Sequence, residues 1–212
     1  MMYTSLEIEF KTKISKEEYE RLIDLFNLKD KVFIQTNYYF DTNSHSLINQ
    51  GIVLRIREKA HNIKLTSKTP QDSALLERHI VLEKQEAYKM IENGFDARII
   101  EINEFVKNVA TLKTHRAKMN YKSGTLFFDM NEYYDTVDFE IEFESDNNEI
   151  GLQEFNEFLQ ENNLTFIKME SKSERAYKKS SQNWLWWFFF YSVKFIFLFL
   201  LLIIVLIKTT IK

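Results

Sequence analysis

Hydrophobic and polar residues alternate along most of the first 170 residues, which is the pattern of half-buried β-strands. Turn sequences such as Ala60-His61-Asn62 and Lys122-Ser123-Gly124 are typical of hairpins between neighbouring strands. Many strands and few helices predict the α+β class with a largely antiparallel sheet. The predicted strands are Leu6–Thr12, Phe33–Asp41, Val53–Lys59, Ile63–Lys68, Glu77–Leu82, Thr114–Tyr121, Thr125–Tyr133, Asp138–Glu144 and Thr165–Met169.

Three segments have apolar residues at helical spacing instead. Ser15-Lys16-Glu17-Glu18 has the form of a capping box and is followed by a helical pattern up to Phe26. A second helical region is predicted over about Gln85–Val109, with a break near Asn93-Gly94, and a third over about Leu152–Glu161. These helices are few enough to flank a sheet rather than to form a core of their own.

The C-terminal part of the chain has a different composition. Residues from Trp184 to Ile207 are apolar except for Lys194, and as a helix they would span about 36 Å, enough to cross a bilayer. More Lys and Arg precede this segment than follow it, so the N-terminal part is expected in the cytoplasm, with the tail anchored from the inner face of the cell membrane. The predicted division is a folded domain over residues 1–179 and a transmembrane tail over 184–207. An alternative is that the tail is the product of a shifted reading frame in AT-rich DNA.

Composition excludes several kinds of site. The chain has no cysteine, so disulfides, thiolate metal sites and a cysteine nucleophile are ruled out. Residues 1–183 carry 25 basic and 31 acidic groups, a balance that argues against nucleic-acid binding. Binding of a polyanion would therefore require basic groups concentrated in one place.

The charged faces of the strands are segregated by sign. In the strands that carry charges at alternate positions, an apolar face lies opposite a face of like charges. One interpretation is an outer face in contact with solvent; the other is the inner wall of a closed barrel, acidic on one side and basic on the other. In the second case the carboxylates suit magnesium or manganese, and the basic groups suit phosphate oxygens. The acidic rows are Glu7/Glu9 and Glu140/Glu142/Glu144, and the basic rows are Arg55/Arg57, Lys64/Lys68 and Arg116/Lys118.

Several motifs, in order along the chain, resemble one known family. Glu7-Ile8-Glu9-Phe10-Lys11 is similar to the ExExK signature of the CYTH superfamily, the triphosphate tunnel metalloenzymes. The resemblance covers about residues 3–179, is nearest to the bacterial YjbK-like branch, and does not include the apolar tail. The later motifs that carry it are Asn37–Thr42, Leu54–Glu58, Leu65–Pro70, Leu75–His79, His115–Lys118, Phe139–Glu144 and Lys172–Tyr177.

The resemblance implies an eight-stranded antiparallel β-barrel, with a few flanking helices, whose tunnel holds a triphosphate. It also implies a role for each matching residue. Asp129 is a weaker carboxylate candidate, His79 a possible proton-transfer group, and Glu144 is expected at the rim. The implied metal ligands are Glu7, Glu9, Glu140 and Glu142; the implied catalytic residues are Lys11 and Glu77; the implied substrate-binding residues are Arg55, Arg57, Lys68, Arg116, Lys172 and Arg175.

The implied activity is hydrolysis of triphosphates with Mg²⁺ or Mn²⁺, and inorganic triphosphate is the simplest substrate because no nucleoside pocket is evident. Three alternatives remain open. They are an adenylate cyclase-like reaction of ATP, hydrolysis of thiamine triphosphate, and a non-catalytic module that binds polyphosphate or nucleotides.

Overall fold

Antiparallel strands dominate the computed structural model, which describes residues 2–72 and 74–181. The strands are β1 (Met2–Ile14), β2 (Phe33–Asp41), β3 (Val53–Lys59), β4 (Asn62–Gln71), β5 (Ala74–Val81), β6 (Phe95–Asp96), β7 (Phe105–Tyr121), β8 (Gly124–Tyr133) and β9 (Thr136–Ser145). The helices are α1 (Lys16–Leu25), α2 (Ser46–Asn49), α3 (Lys84–Asn93), α4 (Asn148–Glu161) and α5 (residues 172–181).

Eight of the strands close into a barrel. Their order is β2-β3-β4-β5-β1-β9-β8-β7, and β7 pairs back with β2. Strand β1 joins the two halves, since residues 2–7 pair with β5 and residues 8–14 pair with β9. All these pairings are antiparallel, and β6 is only a two-residue addition to β7. The predicted eight-stranded antiparallel barrel is therefore confirmed.

The apolar faces of the strands point outward and are covered by helices. Helices α1 and α4 pack on β8 and β9 around Phe128, Phe143 and Phe158, which are all fully buried. On the other side, α3 belongs to a second apolar cluster that includes Leu54 and Leu65. The charged faces consequently point into the barrel, so the barrel-wall interpretation of the sequence is correct and the solvent-face interpretation is wrong.

Two of the predicted helices form as expected. Ser15 Oγ accepts from the Glu18 N–H at 3.1 Å, and the Glu18 carboxylate accepts from the Ser15 N–H at 2.7 Å. This reciprocal capping box starts α1 at Lys16. Helix α4 ends at Glu161 as predicted but begins at Asn148, where the side chain of Asn147 caps it.

The predicted helical region Gln85–Val109 is wrong beyond Asn93. Helix α3 ends there because Gly94 has a φ of +78°, a conformation that favours glycine. From Phe105 onward the chain belongs to β7, with Phe105 exposed and Val106 buried as in any strand. The helical spacing in this stretch was a coincidence of apolar residues from two strands and a 3₁₀ turn.

The predicted strand Thr165–Met169 is also wrong, because this segment is irregular. It is attached to β1 by isolated hydrogen bonds: Ile167 O accepts from the Lys13 N–H at 3.2 Å, and the Ile167 N–H donates to Thr12 Oγ1 at 2.8 Å. One of these bonds uses a side chain, so no ladder of backbone bonds forms. The segment leads instead into α5.

No helix within residues 2–72 and 74–181 has the length and apolar character needed to cross a membrane. The segment Trp184–Ile207, for which the membrane anchor is predicted, lies outside the described residues.

Candidate active site

A cavity of about 980 Å³ occupies one half of the barrel interior. It reaches the barrel end formed by the β3–β4 and β7–β8 turns, where Ala60, Lys122 and Ser123 are exposed. Basic residues of β3, β4 and β7 line one wall, and carboxylates of β1 and β9 line the other. This volume is at the upper end of the range for small-molecule sites.

The opposite end of the barrel is closed by α5. Lys172, at the first turn of that helix, is 7% exposed, and its ammonium contacts the carboxylates of Asp129, Glu140 and Glu142. Arg175, one turn later, lies 2.8 Å from Glu140. Both residues were predicted to bind phosphate, and the structure places both in the barrel interior, where they form ion pairs with carboxylates.

The interior carboxylates form two clusters of three. In each cluster one oxygen from every residue lies within 4.8 Å of the others. The predicted metal ligands are divided between the clusters, and each cluster gains one residue that the sequence ranked lower. The first cluster is Glu7, Glu9 and Glu144, and the second is Asp129, Glu140 and Glu142.

The second cluster is the more deeply buried, and its carboxylates repel one another and their neighbours. Burial, together with the nearby charge of Glu9, raises the pKa of Glu142 to about 7. Burial would also raise the pKa of Glu9, but Lys11, Lys68 and Lys172 outweigh it and hold that pKa well below its usual range. The two clusters are therefore electrostatically coupled across the interior.

Five interior cations are paired with these carboxylates. Lys11 lies 2.7 Å from Glu9. Arg116 donates from Nε to Asp129 at 2.8 Å and also contacts Glu142. The remaining pairs are Lys68 with Glu7 and Glu77, Lys172 with the second cluster, and Arg175 with Asp138 and Glu140.

Arg55 and Arg57 differ from those five. Among the described residues neither forms an ion pair with a carboxylate, and the hydrogen bond found for Arg57 is to the neutral Asn37, at 2.7 Å. Burial, together with the adjacent charges of Arg55 and Arg116, lowers the pKa of Arg57 to about 9. This wall of the cavity therefore carries positive charge that the protein does not neutralise, which is the requirement for binding an anion.

Glu77 is held from two sides on the inner face of β5. Its carboxylate lies 2.8 Å from Lys68 and 3.0 Å from Nε2 of His79. Nδ1 of His79 lies 3.0 Å from the hydroxyl of Thr66, so both ring nitrogens have a polar neighbour. Burial would raise the pKa of Glu77, but these partners hold it well below its usual range. Glu77 is thus an ionised carboxylate, suited to orient a ligand.

All twelve predicted site residues lie in the barrel interior. The sequence ranked Asp129 and Glu144 below the other carboxylates and did not single out Asp138. In the structure Asp129 and Glu144 complete the two clusters, and Asp138 binds Arg175. Their signal was present in the alternation of β8 and β9, because Asp129 and Asp138 share a face with Asn131 and Glu140. Alternation gives the face of a residue but not its neighbours across the barrel.

Comparison with known proteins agrees with this geometry. The family described as "CYTH domain" matches residues 5–177. The chain belongs to the CYTH family. A relative named "Putative triphosphatase YjbK", from Bacillus subtilis (strain 168), is 30% identical over 189 residues, which are 86% of this chain and 100% of that protein.

Solved CYTH-like structures superpose on the same barrel. A crystal structure named as a "putative adenylate cyclase (bh2851)" from Bacillus halodurans is 35% identical, has a TM-score of 0.75, and covers 81% of this chain and 97% of its own. The Hippeastrum protein HpAC1, named as a "putative adenylyl cyclase" with a dominant triphosphatase activity, has a TM-score of 0.65 at 20% identity, over 82% of this chain and 95% of its own. The second likeness supports the fold alone.

Proposed function

We propose that this CYTH protein is a metal-dependent triphosphatase, with inorganic triphosphate as its preferred substrate. The observation that carries the proposal is the pairing of two carboxylate clusters with an unneutralised arginine wall inside one barrel. The arginines attract the polyanion, and the carboxylates supply oxygen ligands for divalent cations. The relative named as a triphosphatase supports the same conclusion.

The carboxylate clusters fit Mg²⁺ or Mn²⁺, since both prefer oxygen ligands. Glu7 and Glu9, with Glu144, would hold a cation on the cavity side, and Glu140 and Glu142, with Asp129, would hold one beneath α5. When bound, such a cation neutralises phosphate charge and polarises the P–O bond that breaks.

The chain's own residues bind and orient the substrate. Arg55 and Arg57 contact the phosphate oxygens directly, and Arg116 and Lys68 do so once the substrate draws them from their carboxylate partners. Burial would lower the pKa of Lys11, but Glu9 and Glu142 outweigh it and raise that pKa, so Lys11 stays protonated and stabilises charge on the transferred phosphoryl group. Lys172 and Arg175 contact the phosphate oxygens from the closed end.

Glu77 orients the attacking water rather than taking its proton, because its pKa is low. The water oxygen forms a bond to the terminal phosphorus as the bond to the bridging oxygen breaks. Pyrophosphate leaves with that bridging oxygen and its electron pair, and the water proton passes to the phosphate product and solvent.

The test is phosphate release by the purified full-length chain from triphosphate, ATP or thiamine triphosphate, with Mg²⁺, Mn²⁺ or a chelator. We expect release from triphosphate that the chelator abolishes and either metal restores. Glu9→Gln should reduce turnover at least 100-fold, as removal of a group that stabilises the transition state does. Glu132→Gln is the matched control, since Glu132 is 40% exposed on the outer face of β8.

A second candidate is cyclisation of ATP to cyclic AMP and pyrophosphate. The name of the 35%-identical Bacillus halodurans structure favours it. The same assay decides between the two, because cyclisation yields cyclic AMP and no free phosphate. If the full-length chain releases neither product from any substrate while triphosphate still raises its melting temperature, the protein is a binding module and the enzymatic proposal is wrong.

A further inference from the structure

The inner face of β2 carries a row of neutral polar residues beside the arginine wall. Gln35, Asn37 and Tyr39 alternate along this strand and are 3%, 0% and 4% exposed. Asn37 is paired in register with Arg57, and Tyr39 with Arg55. At about 3.4 Å per residue the row extends over roughly 14 Å of the interior.

Each of these side chains presents an unpartnered hydrogen-bond donor. Within residues 2–72 and 74–181, Nε2 of Gln35, Nδ2 of Asn37 and the hydroxyl of Tyr39 have no hydrogen-bond partner, and neither does Nε of Arg55. The amide of Asn37 has a fixed orientation, because its Oδ1 accepts from Arg57. That contact leaves the NH₂ group of Asn37 for another acceptor.

Asn131, on the inner face of β8, is fully partnered, in contrast to the row on β2. Asn131 accepts from Thr114 at 2.9 Å and donates to Asp138 at 3.1 Å and to Glu140 at 3.2 Å. A buried donor without an acceptor is unfavourable, and native proteins keep such groups where a ligand satisfies them. Four unpartnered donors on two adjacent strands indicate an acceptor-rich ligand.

We propose that Gln35, Asn37 and Tyr39 are substrate-binding residues that donate to the phosphate oxygens of the triphosphate, next to Arg55 and Arg57. The inference rests on the proposed function and adds to it a neutral binding surface. Neutral donors suit this position, because a further cation would add to the repulsion between two arginines that already lack carboxylate partners.

The first variant is Tyr39→Phe, which removes one hydroxyl and keeps the packing of the ring against Leu112 and Ala176. Because that hydroxyl has no partner, the melting temperature of the ligand-free full-length chain should be unchanged or higher. The dissociation constant for triphosphate should rise about 10-fold or more, the effect of losing a hydrogen bond to a charged group. Gln35→Met, at the cavity end of the row, should behave in the same way.

The matched control is Tyr38→Phe, the same substitution at the preceding residue, which packs against the outer apolar cluster. It should leave triphosphate binding unchanged. All melting temperatures are measured in phosphate-free buffer, and the dissociation constants by titration with inorganic triphosphate.

Failure of the inference and failure of the proposed function are distinguishable. If the wild-type chain hydrolyses triphosphate while Tyr39→Phe and Gln35→Met bind it as tightly as wild type, the donor row is wrong and the function stands. A fall in the ligand-free melting temperature of Tyr39→Phe would also overturn the inference, because the hydroxyl would then have a partner in the protein. A wild-type chain that neither binds nor hydrolyses triphosphate overturns both.

Discussion

The two arginines Arg57 and Arg116 face the same cavity, yet their replacement should change stability in opposite directions. Arg116 neutralises the buried carboxylates of Asp129 and Glu142. Arg57 has a hydrogen bond to Asn37 and the like charges of Arg55 and Arg116 beside it. Methionine in either position keeps most of the side-chain volume and removes the charge.

The magnitudes follow from these contacts. The pKa of Arg57 is lowered from its ordinary value to about 9, and at about 1.4 kcal/mol per pKa unit the charge costs up to about 5 kcal/mol in the folded protein. Loss of the bond to Asn37 and relaxation of the side chain offset part of this, so we expect Arg57→Met to gain about 1–3 kcal/mol. Arg116→Met leaves two buried carboxylates without that partner and should lose about 3–5 kcal/mol.

The assay is urea unfolding of both variants in phosphate-free buffer at pH 7.5, followed by the same measurement with triphosphate. Arg57→Met should be more stable than wild type without ligand and gain little from triphosphate, since the anion site is lost. Arg116→Met should be less stable in both conditions. If both variants lose stability without ligand, the division of the interior cations into paired and unpaired sets is wrong.

Two further predictions concern the second carboxylate cluster and a helix contact. The pKa of Glu142 is raised to about 7, so between about pH 4.5 and 7 the folded protein keeps a proton that the unfolded chain has lost. The free energy of unfolding should therefore fall as pH rises through this range. Glu142→Gln should flatten that slope in urea titrations at several pH values. An unchanged slope would contradict the assignment. Gly151→Ala should lower the melting temperature, although alanine has a better helix propensity than glycine. The new Cβ would lie 2.7 Å from Cβ of Ser145 and from the ring of Phe10. Equal or higher stability would show that α4 can shift.

The strands were predictable where alternation continues from one turn to the next. Strands β2 and β3 begin and end at the residues expected from the sequence, Phe33–Asp41 and Val53–Lys59. The N-terminal half of β7, before Thr114, was not predicted, because Phe105–Val109 has apolar residues at a spacing that continues the helical pattern. The segment Thr165–Met169 has strand-like composition but contacts β1 mainly through the side chain of Thr12, and no local pattern reports such a contact.

The candidate site was predictable as a set of residues but not as a set of pairs. Charge on alternate positions identifies the acidic and basic side chains that the strands direct into the interior, whereas Lys172 and Arg175 of α5 were indicated only by the family motif. Alternation does not show that carboxylates neutralise Arg116 but not Arg57 among the described residues, because that depends on which strands meet across the closed barrel. The donors on β2 were not predictable for a related reason. Gln35 and Asn37 are uncharged, and the sequence does not show that their amide groups lack hydrogen-bond acceptors in the folded protein.

The two carboxylate clusters differ in how easily a metal ion can reach them. Glu7 and Glu144 line the open cavity, whereas no member of the second cluster does. The second cluster lies beneath α5, and the ammonium of Lys172 contacts all three of its carboxylates. A cation reaches the first cluster directly from the cavity, where it displaces Lys68 from Glu7 and Lys11 from Glu9. It reaches the second only if Lys172 and Arg116 exchange their carboxylates for phosphate oxygens. Triphosphate supplies those oxygens, so occupation of the second cluster should depend on substrate more strongly than occupation of the first.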